Sequence, residues 1–360
     1  MNYHAPWWLP GGNLQTIWAA LRSTRYLGPP PVFRRERWVT PDADFVDVDW
    51  LAPTLFAPRN ALPPEGALRL RPGEAGSAAL ACEGTPHAGG DVDTSKRPLL
   101  VVFHGLEGSS GSHYAEAFAA VARSRGWACA IPHFRGCSGE LNLGPRAYHS
   151  GDFAEVDWIL RRFAAAHDGP VVAVGISLGG NALMRWAGER GASAAQLVSA
   201  VASVCSPLDL TASGHAIGRG FNRQVYTRMF LNTMVPKALQ KLEQHPGLFD
   251  GQALRAARDL HAFDNIFTAP LHGFVDADDY WKRASAKPLM TQIGVPALAL
   301  NARNDPFVPA ASLPTSADVS AHVTLWQLAQ GGHVGFPSAP FPGHVRAMPE
   351  AVCAYFAEHL

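Results

Sequence analysis

The sequence predicts an α/β fold, a mostly parallel central sheet with helices on both faces and a helical lid inserted between late strands. Three observations carry that reading. Short, wholly apolar runs such as LLVVF, VVAVGI and VPALALN have the character of strands covered on both faces. Between them, apolar residues recur at helical spacing in regular alternation with the strands, which implies right-handed crossovers and parallel pairing. The alternation then breaks between about Pro207 and Pro288, where helical segments follow one another with no convincing strand.

Residues 1–58 read as an N-terminal extension followed by edge strands. Trp7, Trp8, Ile17 and Trp18 are expected to pack onto the body as apolar anchors. The alternation of Phe45, Val46, Val48 and Trp50 predicts an edge hairpin with one wet face. Residues 59–97 turn to Ala, Gly and Pro with little periodicity, so a partly mobile surface excursion is expected there. Residues 98–206 and 289–360 make the core. LLVVF is its first strand, and Tyr114, Phe118 and Val121 mark a helix that ends at Gly126. WACAIPHF is the next strand, and Phe153, Val156, Leu160 and Phe163 mark the helix after it, closed by Gly169. VVAVGI, the helix-prone LGGNALMRWAGE and the strand LVSAVASVCS follow. Residues 207–288 form the lid, its helices punctuated by Pro236, Pro246 and Pro270. An insertion there lies over the carboxyl ends of the strands, where ligands bind in such sheets. VPALALN and HVTLWQL restore two strands, and Pro349 starts a closing helix that buries Val352 and Phe356.

At 360 residues the chain can bury a large core, and the order of its elements favours one elaborated domain. Lys plus Arg equals Asp plus Glu at 30 each, so no net field attracts nucleic acid or an anionic surface. A nucleic-acid partner is not expected. Cys82, Cys129, Cys137, Cys205 and Cys353 are odd in number and lack C-x-x-C pairing, against a disulfide framework or a structural zinc. MNYHAPWWLPGG has no basic region leading into an apolar stretch, and no apolar run approaches the roughly eighteen residues a spanning helix needs. A cytoplasmic protein without an integral membrane segment is expected; its oligomeric state is open.

Chemistry centres on Gly175-Ile176-Ser177-Leu178-Gly179, at the junction of VVAVGI with the helix behind it. A serine on such a sharp strand-to-helix turn is a candidate nucleophile, and glycines two before and two after remove Cβ atoms that would collide. A serine hydroxyl is weakly nucleophilic near neutral pH and needs a histidine to take its proton, held in the right tautomer by an acid. The expected order is serine, acid, histidine. Asp305 follows VPALALN, kept in a loop by Pro306, and His333 follows HVTLWQL, where Gly331 and Gly332 let the backbone turn. Asp305 is weighed against capping the turn near Pro309, and against Asp209 as rival acid. The oxyanion donors are expected to be the backbone N–H of Leu178 and, from His104-Gly105-Leu106-Glu107-Gly108, that of Leu106; His104 reads as a brace for that loop. His113, His133, Cys137 and His149 share no ligand spacing, and GLEGSSG lacks the lysine of a phosphate cradle, so no metal and no cofactor are expected. Phe221, Val225, Met229 and Phe230 are candidates to hold an acyl chain, or to be the lid's own core; Arg219, Arg223 and Arg228 could meet a phosphate or simply face solvent.

HGLEGSSGSHYA, HFRGCSGE, GISLGGN, TAPLHGF, ARNDPFVP and GGHVGF, in that order, resemble one family of the α/β-hydrolase fold. It includes bacterial esterases assigned by sequence, fungal medium-chain fatty-acid ethyl ester synthases that also hydrolyse those esters, and animal abhydrolase-domain phospholipases. The resemblance runs from PWWLPGGNLQT to the final helix. It implies Ser177 as nucleophile, Asp305 and His333 as its partners, and short or medium acyl esters or lipids as substrates. An acyltransferase would use the same triad, and a non-catalytic ligand binder would keep the fold, so both remain as alternatives. Two departures stand out: Asn13 replaces the histidine of the family's GHLQT segment, and the excursion before Pro98 is longer than usual. A counterpart of the membrane-anchoring N-terminal segment of the animal members is not expected, nor is an integral-membrane phospholipase role.

Overall fold

A computed structural model describes residues 3–53 and 96–360. Most of the excursion assigned to residues 59–97, and Cys82 with it, therefore lies outside the described residues.

Eight strands form one sheet in the order β1-β2-β4-β3-β5-β6-β7-β8. They are β1 (Phe33–Val39), β2 (Phe45–Leu51), β3 (Leu99–Phe103), β4 (Ala128–Pro132), β5 (Val171–Ile176), β6 (Ala200–Val204), β7 (Ala297–Ala302) and β8 (Val323–Leu328). From β3 to β8 all pairings are parallel; β1 and β2 add an antiparallel hairpin on the β4 side. The period-2 alternation of a strand divides the core. Leu99, Val101 and Phe103 of β3 join the layer of α3 (Phe153–Ala166) and α4 (Leu178–Arg190), while Leu100 and Val102 join that of α2 (His113–Ser124) and α12 (Ala347–Ala357). Every residue of β3, β5, β6 and β7 is buried, which is why these strands read as continuous apolar runs.

The N-terminal helix is α1 (Gly11–Leu21). The segment between β6 and β7 holds α5 (Leu210–Ile217), α6 (Gly220–Asn222), a π-helical turn Arg223–Thr227, α7 (Arg228–Gln244), α8 (Gly251–Ala256), α9 (Leu260–Phe263), a second π-helical turn Asp264–Thr268, α10 (Ala269–Leu271) and α11 (Ala277–Ala284). Asp209, Asp250, Asp259 and Asp276 cap α5, α8, α9 and α11 through their carboxylates, so the insertion carries its own start signals.

Four expectations need correction. The hairpin forms, but β2 is an inner strand: Asp47 and Asp49 are buried and paired with Arg37 and Arg35 of β1, so the alternation marks an internal charged seam. Pro236 lies inside α7 without ending it, because the carbonyl it leaves unbonded belongs to Asn232, which is exposed to water. The closing helix begins at Ala347, ahead of Pro349. Trp7 is 92% exposed, whereas Trp8 meets Phe341 edge to face, Trp18 meets it at a tilt, and Ile17 packs toward Phe307.

Candidate active site

Ser177 sits between β5 and α4 with φ 50° and ψ −116°. A non-glycine residue there is strained by roughly 1–3 kcal/mol and persists only where its surroundings dictate it. They do. A Cβ on Gly175 would lie 2.4 Å from the Gly179 carbonyl oxygen, and one on Gly179 would lie 2.4 Å from that of His104. Gly180, which the sequence reading passed over, is tighter still, since a Cβ would fall 1.9 Å from Ser206 Oγ. The Ser177 N–H donates to Val204 at 2.9 Å, and its carbonyl receives Gly180 and Asn181 of the first turn of α4.

The loops after β7 and β8 bring Asp305 and His333 to this serine. His333 Nε2 is 3.0 Å from Ser177 Oγ, and His333 Nδ1 is 2.8 Å from Asp305 Oδ2. The other carboxylate oxygen of Asp305 accepts from the N–H groups of Phe307 and Val308 at 2.7 and 3.3 Å. Asp305 thus caps the following turn and faces the imidazole at once, while Phe307 covers the ring at 4.1 Å between centroids. Asp209 is spent on Ala212 of α5.

The loop after β3 is a tight turn, closed by Gly108 N–H to the Gly105 carbonyl at 2.9 Å, with Glu107 at φ 56°. It lies against Ser177: a Cβ on Gly105 would be 3.3 Å from Ser177 Cβ. Gly105 N–H donates to Tyr114 Oη at 2.9 Å and Glu107 N–H to Tyr148 Oη at 3.0 Å. Among the described residues the N–H groups of Leu106 and Leu178 have no acceptor, and both residues line the cavity at Ser177. His104 braces the turn from below. Its Nε2 accepts from Phe134 N–H at 3.0 Å, which leaves Nδ1–H to donate to the Gly105 carbonyl at 2.8 Å. Burial, then the neighbouring His133, lowers its pKa to about 3, so the ring stays neutral.

The sequence reading did not assign a role to Gln15, Thr16 or Asn304, which hold both late loops. Gln15 Oε1 accepts from Gly331 N–H at 2.9 Å and Asn304 Nδ2 at 3.0 Å, and Asn304 Oδ1 accepts from Gly332 N–H at 3.0 Å. Thr16 Oγ1 accepts from His333 N–H at 2.8 Å. Gly12 of the same helix packs so closely that a Cβ would lie 1.7 Å from the Asn304 carbonyl oxygen. Asn13, the departure from the family pattern, accepts from Tyr226 Oη of the lid at 2.9 Å. The only signal in the sequence was the NLQT stretch itself.

A cavity opens over Ser177 beneath the lid. Of the four lid residues proposed to face an acyl chain, Phe230 lines it; Phe221, Val225 and Met229 are 54, 36 and 52% exposed on the outer surface. The inward stripe is Phe230, Met234, Lys237, Ala238 and Lys241, about one residue's rotation from the apolar one. Two lysines on that face disguised it. Lys241 is buried, its Nζ donating to the carbonyls of Asn142 and Gly144, and burial lowers its pKa to about 8. Asp264 also reaches the cavity, bonded to Thr268 and Trp281, and burial raises its pKa to about 6 against those bonds. Arg219, Arg223 and Arg228 are exposed outside it.

Among the described residues the single group of metal-ligating atoms within reach of one another is Cys205, Asp305 and His333, whose carboxylate and imidazole already bond each other. The four described cysteines are unpaired, and no described helix is long and apolar enough to cross a membrane.

A family model described as the alpha/beta hydrolase fold matches residues 98–340. An Escherichia coli (strain K12) protein named "Putative esterase YheT" is 39% identical over 246 residues, covering 67% of this chain and 71% of that one. Mouse phospholipase ABHD3 is 29% identical over 257 residues, covering 70% of this chain and 61% of the mouse protein. Among solved structures, the Pyrococcus furiosus esterase PF2001 superposes with a TM-score of 0.51 at 12% identity, covering 94% of this chain and 97% of that one, a likeness of fold alone.

Proposed function

The chain belongs to the α/β-hydrolase family, and from that premise we propose that it is a serine esterase acting on short- to medium-chain acyl esters through an acyl-enzyme. The observation that carries the proposal is the hydrogen-bonded series Ser177, His333, Asp305 facing two unspent N–H donors in one cavity. Ser177 Oγ attacks the ester carbonyl carbon as its proton passes to His333 Nε2. The carbonyl π bond becomes an oxyanion, received by the N–H groups of Leu106 and Leu178. Asp305 stabilises the imidazolium, which then protonates the departing alkoxide as the ester C–O bond breaks. Water repeats the sequence on the acyl-serine, giving the free acid and the serine. The inward face of the lid, with Phe230, Phe263 and Phe267, supplies apolar surface for an acyl chain. The names of the Escherichia coli and mouse relatives support an ester or lipid substrate.

Purified protein should hydrolyse p-nitrophenyl butyrate and octanoate and label with a fluorophosphonate at Ser177. An unlabelled serine together with no turnover across an acyl-chain series would reject the proposal.

A further inference from the structure

We infer that Glu107, Tyr148 and Lys237 form a clamp that sets the oxyanion-binding N–H of Leu106 and makes its alignment depend on the lid being seated. The inference rests on the esterase reading above and adds positioning residues to it.

The turn at residues 105–108 presents two N–H groups outward, those of Leu106 and Glu107. Tyr148 Oη accepts the second at 3.0 Å, leaving the first for an oxyanion. The same hydroxyl donates to Glu107 Oε1 at 2.9 Å, so one phenol grips both the backbone and the side chain of the residue held at φ 56°. A left-handed conformation at a glutamate has to be imposed from outside. Tyr148 is itself fixed, its ring flat on Phe134 with centroids 5.5 Å apart and planes at 8°, and Phe134 N–H binds His104 beneath the turn.

The third member comes from the lid. Lys237 Nζ of α7 lies 2.9 Å from Glu107 Oε1 and donates to the Gly136 carbonyl at 2.9 Å. One ammonium therefore joins α7, the loop after β4 and the oxyanion turn. The Glu107 side chain is only 11% exposed, so this contact is less screened by water than a surface pair. Lys237, Glu107 and Tyr148 all line the cavity over Ser177. If α7 lifts, Glu107 loses its cation and the turn one of its restraints.

A structural tether and a positioning clamp differ in what they change. Donor alignment matters most in the transition state, so its loss lowers kcat while leaving KM nearly untouched. Lys237→Met in the full chain should lower kcat for p-nitrophenyl butyrate by about tenfold, less than deletion of a donor, with KM within about twofold of wild type. Affinity for a trifluoromethyl ketone, whose adduct with serine carries the oxyanion, should fall in step with kcat/KM. Lys237→Arg should restore most of the rate. Tyr148→Phe should behave like Lys237→Met, and the double variant should lose little more than the worse single one, because both act through one turn. Tyr148→Phe, which removes one oxygen, serves if Lys237→Met does not fold. A change confined to Tm or KM, with kcat and ketone affinity at wild-type values, overturns the clamp. Wild-type protein that neither labels nor turns over esters overturns the esterase reading and the clamp together; wild-type activity matched by Lys237→Met overturns the clamp alone.

Discussion

Ser177 and Asp305 each hold backbone contacts besides the catalytic roles proposed for them, and those contacts make their substitutions distinguishable. Ser177→Ala removes the proposed nucleophile yet keeps the elbow, so labelling should vanish and kcat fall to the residual rate, at least roughly a thousandfold down, with Tm little changed. Asp305→Asn is subtler. Its Oδ1 already accepts Phe307 and Val308, so the amide nitrogen would be turned toward His333 Nδ1. That favours the tautomer with its proton on Nε2, facing Ser177. A loss of roughly 10⁴ in kcat with the fold retained is expected; a loss under about tenfold would show that the acid does not set the tautomer. His104, like the buried His113 and His272, weakens the fold toward acid through the sign of its shift. Its pKa falls from 6.5 to about 3 on folding because burial excludes the charged form. Below pH 6.5 the unfolded chain binds a proton that the native one refuses. Stability is thus complete above 6.5 and declines toward pH 3, by up to about 1.4 kcal/mol per pH unit from this ring alone. Urea unfolding at pH 7.5 and 5.5 measures the slope, and the His104 ¹⁵N shifts should remain those of a neutral ring at pH 5.5.

The elements that matter most are those whose contacts bring distant loops together. α4 enters with no room for a methyl group at Gly179, which abuts the end of β3, or at Gly180, which abuts Ser206 and Gly175. Gly180→Ala should displace the serine or Ser206, lowering both Tm and kcat, and an unaffected enzyme would mean that the elbow relaxes freely. α1 has an equally specific task. Gln15→Leu would leave the buried N–H of Gly331 without an acceptor, an expected cost of about 1–3 kcal/mol, and would loosen the His333 loop. Thermal unfolding and kcat should both fall; a Tm change alone would make the helix a prop with no bearing on the base. The lid stripe shows why helix faces mislead. Phe221, Val225 and Met229 follow an i, i+4, i+8 pattern that reads as a core face, yet they point outward, while the inward face includes Lys237 and Lys241. Periodicity reveals that a face exists; burial of a lysine with its own carbonyl partners depends on loops the helix cannot announce.

Across the whole molecule the sheet and the lid are unequal bodies. The two layers that sandwich the sheet hold the large clusters of buried apolar residues, whereas the insertion is knit by smaller clusters around Trp281 and Phe267 and joined to the loop after β7 by another around Phe307. Smaller clusters open at lower free energy, so amides of residues 210–284 should exchange ahead of β3, β5 and β6 in native-state hydrogen exchange. Simultaneous exchange would mean that lid and sheet unfold as one unit. Read alone, the amino-acid sequence determined what local pattern can specify: β3 to β8 with their helices, the insertion between β6 and β7, and a serine, an acid and a histidine each placed just after a strand. Those signals survive because period-2 and period-3.6 burial, and glycine at tight turns, are written in neighbouring residues. Only the tertiary structure decided that Asp47 and Asp49 are sealed inside the sheet, that Gln15 and Thr16 hold loops more than 280 positions away, and which stripe of α7 faces the cavity. Each of these depends on a polar group finding a partner from a remote segment, and the cost of burying it is settled by where that partner lies when the chain has closed.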